Sequence, residues 1–199
     1  KSPDAAPNVP GYVEIGFENG IPVSIDEQKL DGVSLIQRLN ELAGEHGVGR
    51  IDNLESRLVG IKSREIYEAP AAVMLLRAHL ALEAMTLSKD QLRFKQKVAQ
   101  EYADLVYNGL WFSALRQDLA AYIQSSQRFV TGTVRLKLFK GGCRVVGRKS
   151  PFSLYSYGLA TYDKGDEFDQ SAAPGFIHIW GLPVRTQAQA QPIDKTENS

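Results

Sequence analysis

The sequence has 199 residues, of which 43% are hydrophobic, so it is long enough and apolar enough for an ordinary globular core. Twenty-three basic residues balance 23 acidic ones, and no stretch approaches the roughly 18 consecutive apolar residues of a membrane-spanning helix, so we expect neither nucleic acid nor a membrane as a partner. The single cysteine, Cys143, cannot form an internal disulfide, which fits a cytoplasmic protein.

The chain opens with a predicted linker and a predicted β-hairpin. Residues 1–10 are rich in proline and predict the linker. Val13, Ile15 and Phe17 alternate with Tyr12, Glu14 and Gly16. An Asn-Gly pair follows at 19–20 and the chain resumes over 21–25, which is typical of a strand, a turn and a return strand. Apolar residues at helical spacing then predict a helix over about residues 31–44.

Residues 46–72 form the most informative segment because charged and apolar side chains are densely mixed in it. The charged side chains that need partners are Glu55, Arg57, Lys62, Arg64, Glu65 and Glu68. Glu55 and Tyr67 are chemically suited to hold an amino acid, because one offers a carboxylate and the other a hydroxyl. An extended chain would separate them by roughly 40 Å, which is far more than one small amino acid can bridge. We therefore expect a bend between them, with Gly60 the first candidate and Ser63 the second.

The same side chains also have purely structural interpretations. Glu55 could form an ion pair with Arg57 or Arg64, and Tyr67 could be a half-buried core residue. The three arginines could hold a substrate carboxylate or pair within the protein. The residues concerned are Arg50, Arg57 and Arg64, with Asp52, Glu65 and Glu68 as the possible internal partners. We expect the Glu65 side chain to point to solvent.

The rest of the chain predicts helices, a second hairpin and a tail. Helices are predicted over residues 70–87, 89–107 and 113–126, the first apolar on nearly all sides and therefore buried. A period of two predicts a second hairpin over 130–148. Polar composition predicts a flexible tail over 184–199. This order predicts an α+β fold, with an antiparallel sheet built from β-hairpins and packed with long helices.

Other chemical motifs have weak support. The glycines around His46 lack the spacing of a phosphate-binding loop, and the three histidines are too scattered for a metal signature. The basic face of the second hairpin could bind an anion, although a solvated strand face is the simpler interpretation. We therefore expect no metal site and no catalytic residue within the chain.

Several segments together resemble the argininosuccinate synthase family. They are residues 46–72, YVEIGFENGIPVSID (12–26), LVYNGLWFSALR (105–116), VTGTVRLKLFKGG (130–142), GRKSPFSLY (147–155) and GFIHIWGLP (175–183). The resemblance is to the carboxy-terminal portion, because the SGG-type nucleotide loop of the family's amino-terminal half does not occur in the sequence. It implies a synthetase and multimerisation domain over residues 11–183.

The resemblance also implies a reaction and a set of partners. The family ligates citrulline and aspartate with ATP and Mg, giving argininosuccinate, AMP and pyrophosphate in arginine biosynthesis. Glu55 and Tyr67 match positions that contact citrulline, whereas the sites for ATP and aspartate would lie outside this chain. Tetramers are usual, and the apolar residues near Trp180 would supply a subunit contact. We expect this portion to be inactive alone. The alternative is a non-catalytic oligomerisation or scaffold module.

Overall fold

The computed structural model describes residues 1–161 and 167–191, and the chain divides into two units, Lys1–Tyr155 and Ser156–Ser199. In chain order the first unit contains β1 (Gly11–Glu18), β2 (Ile21–Ile25), β3 (Gln28–Lys29), α1 (Gly32–Glu45), β4 (Arg50–Ser56), β5 (Lys62–Glu68), α2 (Pro70–Thr86), α3 (Lys89–Tyr107), α4 (Ala114–Ser126), β6 (Gly132–Phe139) and β7 (Gly142–Lys149). The second contains α5 (Tyr157–Ala160), α6 (Ala173–Trp180) and α7 (Leu182–Ala190). Helices and antiparallel strands in one chain confirm the predicted α+β fold.

A five-stranded antiparallel sheet in the order β3-β2-β1-β6-β7 forms one side of the core. In its centre Val13 pairs with Leu136 and Ile15 with Val134, and all four side chains are buried. The opposite face carries polar residues such as Lys137. Alternation with a period of two therefore gives the sheet one core face.

Helices α1 and α2 cover this core face. The Asp31 side chain caps α1 by accepting hydrogen bonds from the backbone amides of Val33 and Ser34. Leu35 and Leu39 then fall on one stripe and are fully buried. This confirms the helix predicted over 31–44.

The prediction that α2 is buried on nearly all sides is wrong. Met74, Ala78 and Leu82 are fully buried, but Leu76 and Leu80 are 63% and 55% exposed. Small and apolar side chains line the core face of the helix. Its other side keeps apolar residues with no layer over them in this unit.

A polar cluster joins α2, α3 and the end of α4. The Glu83 carboxylate is fully buried and accepts hydrogen bonds from Lys95 Nζ and from Gln127 Nε2, each at 2.8 Å. Gln127 Oε1 lies 2.9 Å from His79 Nε2. A buried carboxylate is tolerated only with such partners, so this cluster fixes how the three helices pack.

The second hairpin is confirmed, with strands Gly132–Phe139 and Gly142–Lys149. Its two turn residues, Lys140 and Gly141, have φ of 47° and 81°. Two residues in the left-handed region form the turn type that suits a two-residue hairpin loop.

The predicted linker and the first residues of the predicted tail have more structure than their composition suggests. In the predicted linker, Ala6 is buried and its carbonyl accepts a hydrogen bond from Lys140 Nζ at 2.7 Å. The predicted tail begins inside α7, while residues 192–199 lie outside the described part. The division into linker, domain and tail stays a prediction. No helix among the described residues is long and apolar enough to cross a membrane.

Candidate functional site

The segment 46–72 contains a second, separate sheet, the β4–β5 hairpin. Its turn is closed by a hydrogen bond from the Arg57 amide to the Ile61 carbonyl at 2.8 Å, and Gly60 has φ of 84°. L-residues with side chains rarely adopt this φ, which is why glycine occupies the position. The bend predicted at Gly60 is confirmed.

The hairpin brings Glu55 and Tyr67 together on one face. Glu55 is opposite Ser63 and Tyr67 is opposite Ile51, so both side chains project from the same side of the two strands. The Tyr67 hydroxyl lies 3.1 Å from both carboxylate oxygens of Glu55. Desolvation, and then the hydrogen bond to Glu55, raise the pKa of the Tyr67 hydroxyl. Tyr67 therefore stays protonated and donates to the carboxylate.

The arginines pair inside the hairpin. Arg50 Nε contacts Glu68 at 3.1 Å and Arg57 Nη2 contacts Glu65 at 2.5 Å. The Arg64 guanidinium forms two hydrogen bonds with the Asp52 carboxylate, at 2.9 and 2.7 Å. These are the internal partners that the sequence left open. The two-bond pairing lowers the pKa of Asp52.

The alternative of an ion pair for Glu55 and the expectation that Glu65 points to solvent are both wrong. Glu55 does not pair with Arg57 or Arg64, because each guanidinium lies on another carboxylate. Glu65 does not point freely to solvent, since its side chain is only 31% exposed and holds Arg57 across the hairpin. Among the four carboxylates of the hairpin that the structure describes, Glu55 alone has no ion pair.

Two further polar residues border Glu55 and were missed from the sequence. Asn53 Nδ2 donates to Glu55 Oε2 at 3.2 Å. The Ser63 hydroxyl, opposite Glu55, is buried and has no hydrogen-bond partner among the described residues. The spacing of Asn53 and Glu55 would have placed them on one face if β4 had been predicted as a strand.

The hairpin is exposed on both faces. Its large exposed apolar residues are Ile51, Leu54, Leu58, Val59, Ile61 and Ile66. A hydrogen bond ties the hairpin to the rest of the first unit: the hydroxyl of Tyr107 on α3 donates to the Ser56 carbonyl at 3.2 Å. An isolated two-stranded hairpin is marginally stable in water, so anchoring at its ends matters for the position of Glu55.

Comparison with known proteins gives the context of this hairpin. Residues 1–187 match the family described as the arginosuccinate synthase C-terminal domain. The chain belongs to the argininosuccinate synthase family.

Relatives named argininosuccinate synthase match almost the whole chain. The protein from Dehalococcoides mccartyi strain 195 is 66% identical over 194 residues, which are 98% of this chain and 48% of that protein. The proteins from Rubrobacter xylanophilus and Trichodesmium erythraeum are 59% and 58% identical, over 96% and 92% of this chain and 46% of each relative. The chain thus spans about half the length of the curated relatives it matches.

The described part of this argininosuccinate synthase family member offers no donor set for a metal ion. No group of three or more His, Cys, Asp or Glu side chains in residues 1–161 and 167–191 could hold one. Glu55 and Tyr67 are the candidate ligand-binding pair of the hairpin.

Proposed function

We propose that this chain is the carboxy-terminal part of an argininosuccinate synthase, which ligates citrulline and aspartate with ATP to give argininosuccinate, AMP and pyrophosphate. Membership of the family over residues 1–187 and relatives of that name at up to 66% identity support the assignment. In this proposal the chain works in the cytoplasm, in arginine biosynthesis, as part of a homotetramer.

The observation that carries the proposal is the charge of Glu55. In the described hairpin the carboxylates of Asp52, Glu65 and Glu68 are each neutralised by an arginine, whereas Glu55 accepts only from uncharged donors. A carboxylate without an ion-pair partner, beside a phenol and an amide, suits the ammonium group of a zwitterion. Glu55 would hold the citrulline ammonium, and Tyr67 would fix the carboxylate's position.

The reaction assigns the hairpin a binding role. The ureido oxygen of citrulline would attack the α-phosphorus of ATP and release pyrophosphate, and the aspartate amine would then displace AMP. Holding citrulline in one orientation lowers the entropic part of the barrier to the first step. No proton transfer or phosphoryl contact is assigned to residues of this chain.

The proposal is tested by supplying the amino-terminal half of a relative. The chain is joined to the amino-terminal half of the D. mccartyi relative, and argininosuccinate and AMP are measured with all three substrates. The joined protein should form both products, and the chain alone should form neither. A folded, joined protein that forms no argininosuccinate, or product from the chain alone, contradicts the proposal.

A second candidate function is a non-catalytic oligomerisation or scaffold module. The observation in its favour is the apolar surface of α6, where Phe176 and Trp180 stack at 5.5 Å between ring centroids and are 61% and 75% exposed. If assembly is the only role, the joined protein will associate normally and still show no citrulline-dependent formation of AMP.

A further inference from the structure

A groove of about 860 Å3 lies beside β7 and extends to the start of β4 at Arg50 and Ile51. The backbone of β7 and the helix α2 form its walls. The side chains that matter here are Arg77, Lys137, Arg144, Ile51, Val73 and Val145. The groove therefore combines cationic groups with an apolar surface, and its volume exceeds that of a single phosphate or carboxylate several-fold.

Of the four cationic side chains that line the groove, Arg50 pairs with Glu68, and the other three have no carboxylate partner among the described residues. Lys137 and Arg144 are directly opposite each other on β6 and β7, an arrangement of like charges that destabilises a strand pair. Arg77 donates from Nη1 to a backbone carbonyl, that of Cys143, at 2.9 Å. None of these three side chains forms an ion pair with a carboxylate in the described structure. The chain as a whole is neutral, so the groove is a local concentration of charge.

The strand that borders the groove is an edge strand. β7 is last in the sheet order, so one side of its backbone has no neighbouring strand. The bond from Arg77 shows that the Cys143 carbonyl faces the groove and not β6. Alternate residues of an antiparallel strand face the same way, so the backbone groups of Val145 also face the groove. Such an edge can accept an added strand.

We propose that this groove binds an extended acidic segment of a partner protein, which adds to the sheet beside β7. Its backbone would pair with the Cys143 amide and with Val145, while the Cys143 carbonyl keeps its bond from Arg77. Alternate carboxylates of the segment would contact Arg144 and Lys137. Cations on an edge strand commonly prevent aggregation, because they repel other neutral or basic edges. The same charges attract an acidic strand, and here they surround a concave groove lined partly by Ile51 and Val73. The inference does not depend on citrulline binding.

The probe is a fluorescent peptide of alternating Glu and Val, titrated with the whole chain and followed by anisotropy. A peptide with Lys in place of Glu should bind at least tenfold more weakly. Two further peptides carry N-methyl groups on one or the other alternate set of amides, which keeps the charge and removes one row of donors. At least one of them should bind at least tenfold more weakly. If both methylated peptides bind as tightly as the unmethylated Glu-Val peptide, strand addition is overturned.

Variants of the chain locate the peptide. Lys137→Glu combined with Arg144→Glu should weaken binding of the Glu-Val peptide at least tenfold, and Arg93→Glu, which reverses an exposed charge on α3 outside the groove, should leave it unchanged. If the double variant does not fold, Arg144→Gln replaces it. Equal losses in the Arg93 and groove variants overturn the assignment, and so does no binding by the unmodified chain. Displacement of the peptide by equimolar inorganic pyrophosphate identifies a small-anion site and also overturns it.

Discussion

A single carboxylate distinguishes the candidate citrulline site from the ion pairs around it. Each arginine of the described hairpin pairs with Asp52, Glu65 or Glu68, and Glu55 accepts from Tyr67 without an ion-pair partner. The proposed function depends on this one unbalanced charge. A structural role for Glu55 would place its importance in the stability of the hairpin and not in affinity.

Glu55→Gln keeps the shape of the side chain and removes its charge. A hydrogen bond to a charged group contributes roughly 1.5–3 kcal/mol, so citrulline affinity of the joined protein should fall by about tenfold to a hundredfold. Tyr67→Phe removes one hydroxyl that positions the carboxylate, so its effect on citrulline affinity should be smaller. Citrulline titration by calorimetry measures both.

The controls for this pair are ATP affinity and the melting temperature. ATP binding should change little in either variant, since no nucleotide contact is assigned to the hairpin. A lower melting temperature in Glu55→Gln, with citrulline affinity almost unchanged, would assign the residue a structural role instead.

A second prediction at this scale concerns His79 and acid. Burial lowers the pKa of His79 below its ordinary value of 6.5, although Glu83 lies 3.7 Å from Nδ1 and acts in the opposite direction. Lys95, bound to the same carboxylate, adds to the lowering. Below about pH 6.5 His79 is protonated in the unfolded chain, whereas in the folded chain it becomes protonated only at lower pH. This contribution to stability is complete above pH 6.5 and declines as the pH falls towards the lowered folded pKa.

The measurement compares melting curves of the wild type and His79→Gln between about pH 7.5 and 5. Carboxylates also titrate there, so only the difference between the two proteins reports on His79. The wild type should lose more stability than the variant over this interval. Parallel loss in both proteins would show that His79 has the same pKa folded and unfolded.

At the scale of elements, the position of Glu55 and Tyr67 depends on the turn that joins their strands. Gly60 has φ of 84° and open space around its α-carbon, so Gly60→Val creates backbone strain without a clash. That strain amounts to about 1–2 kcal/mol, and a different turn would shift the pairing of β4 with β5. Citrulline affinity of the joined protein should fall at least several-fold, while the melting temperature of the chain changes little.

Gly109 provides a matched control. It has φ of 74° and equally open surroundings, but it follows α3 and not the hairpin. Gly109→Val introduces the same strain and should leave citrulline affinity unchanged. Equal losses of affinity in both variants would show that the effect is not local to the hairpin turn.

The elements that could be predicted from the sequence are those with one buried face. In α1, and in the hairpins β1–β2 and β6–β7, the apolar residues recur at the spacing that places them on the core side. The ranges of these elements were therefore predicted closely. Strands β4 and β5 were not predicted, because a hairpin exposed on both faces has no apolar period. The ion pairs between β4 and β5 can be assigned only when the register of the two strands is known. Helix α7 was not predicted, because nothing in its sequence LPVRTQAQA indicates a buried stripe.

The candidate site was predictable in part. The bend at Gly60 follows from backbone chemistry, but the assignment of citrulline to Glu55 and Tyr67 came from the family resemblance and stays a prediction. The residues alone also allowed an ion pair for Glu55. Only the positions of Arg57 and Arg64 in the folded hairpin removed that alternative.

At the scale of the whole molecule, the apolar residues of α6 need a partner surface. Phe176, Ile177, Ile179 and Trp180 are all more than 60% exposed, and they occupy four of the last five positions of one short helix. An apolar patch of this kind on a soluble protein usually marks an interface. A stacked pair such as Phe176 and Trp180 is the type of group that dominates the energy of such contacts.

We therefore expect the chain to self-associate through α6, and Trp180→Ala to weaken the assembly by at least tenfold in dissociation constant. An interface aromatic at a hot spot contributes about 2 kcal/mol or more, which sets this magnitude. The control is Arg135→Ala, which removes an exposed side chain on β6 that stacks over Tyr12 and should leave assembly unchanged. Light scattering over a range of concentrations gives the mass of each protein. If the wild type is a monomer throughout, or if both variants dissociate equally, the α6 surface is not the interface, and its exposed rings must be covered by another part of the full-length protein.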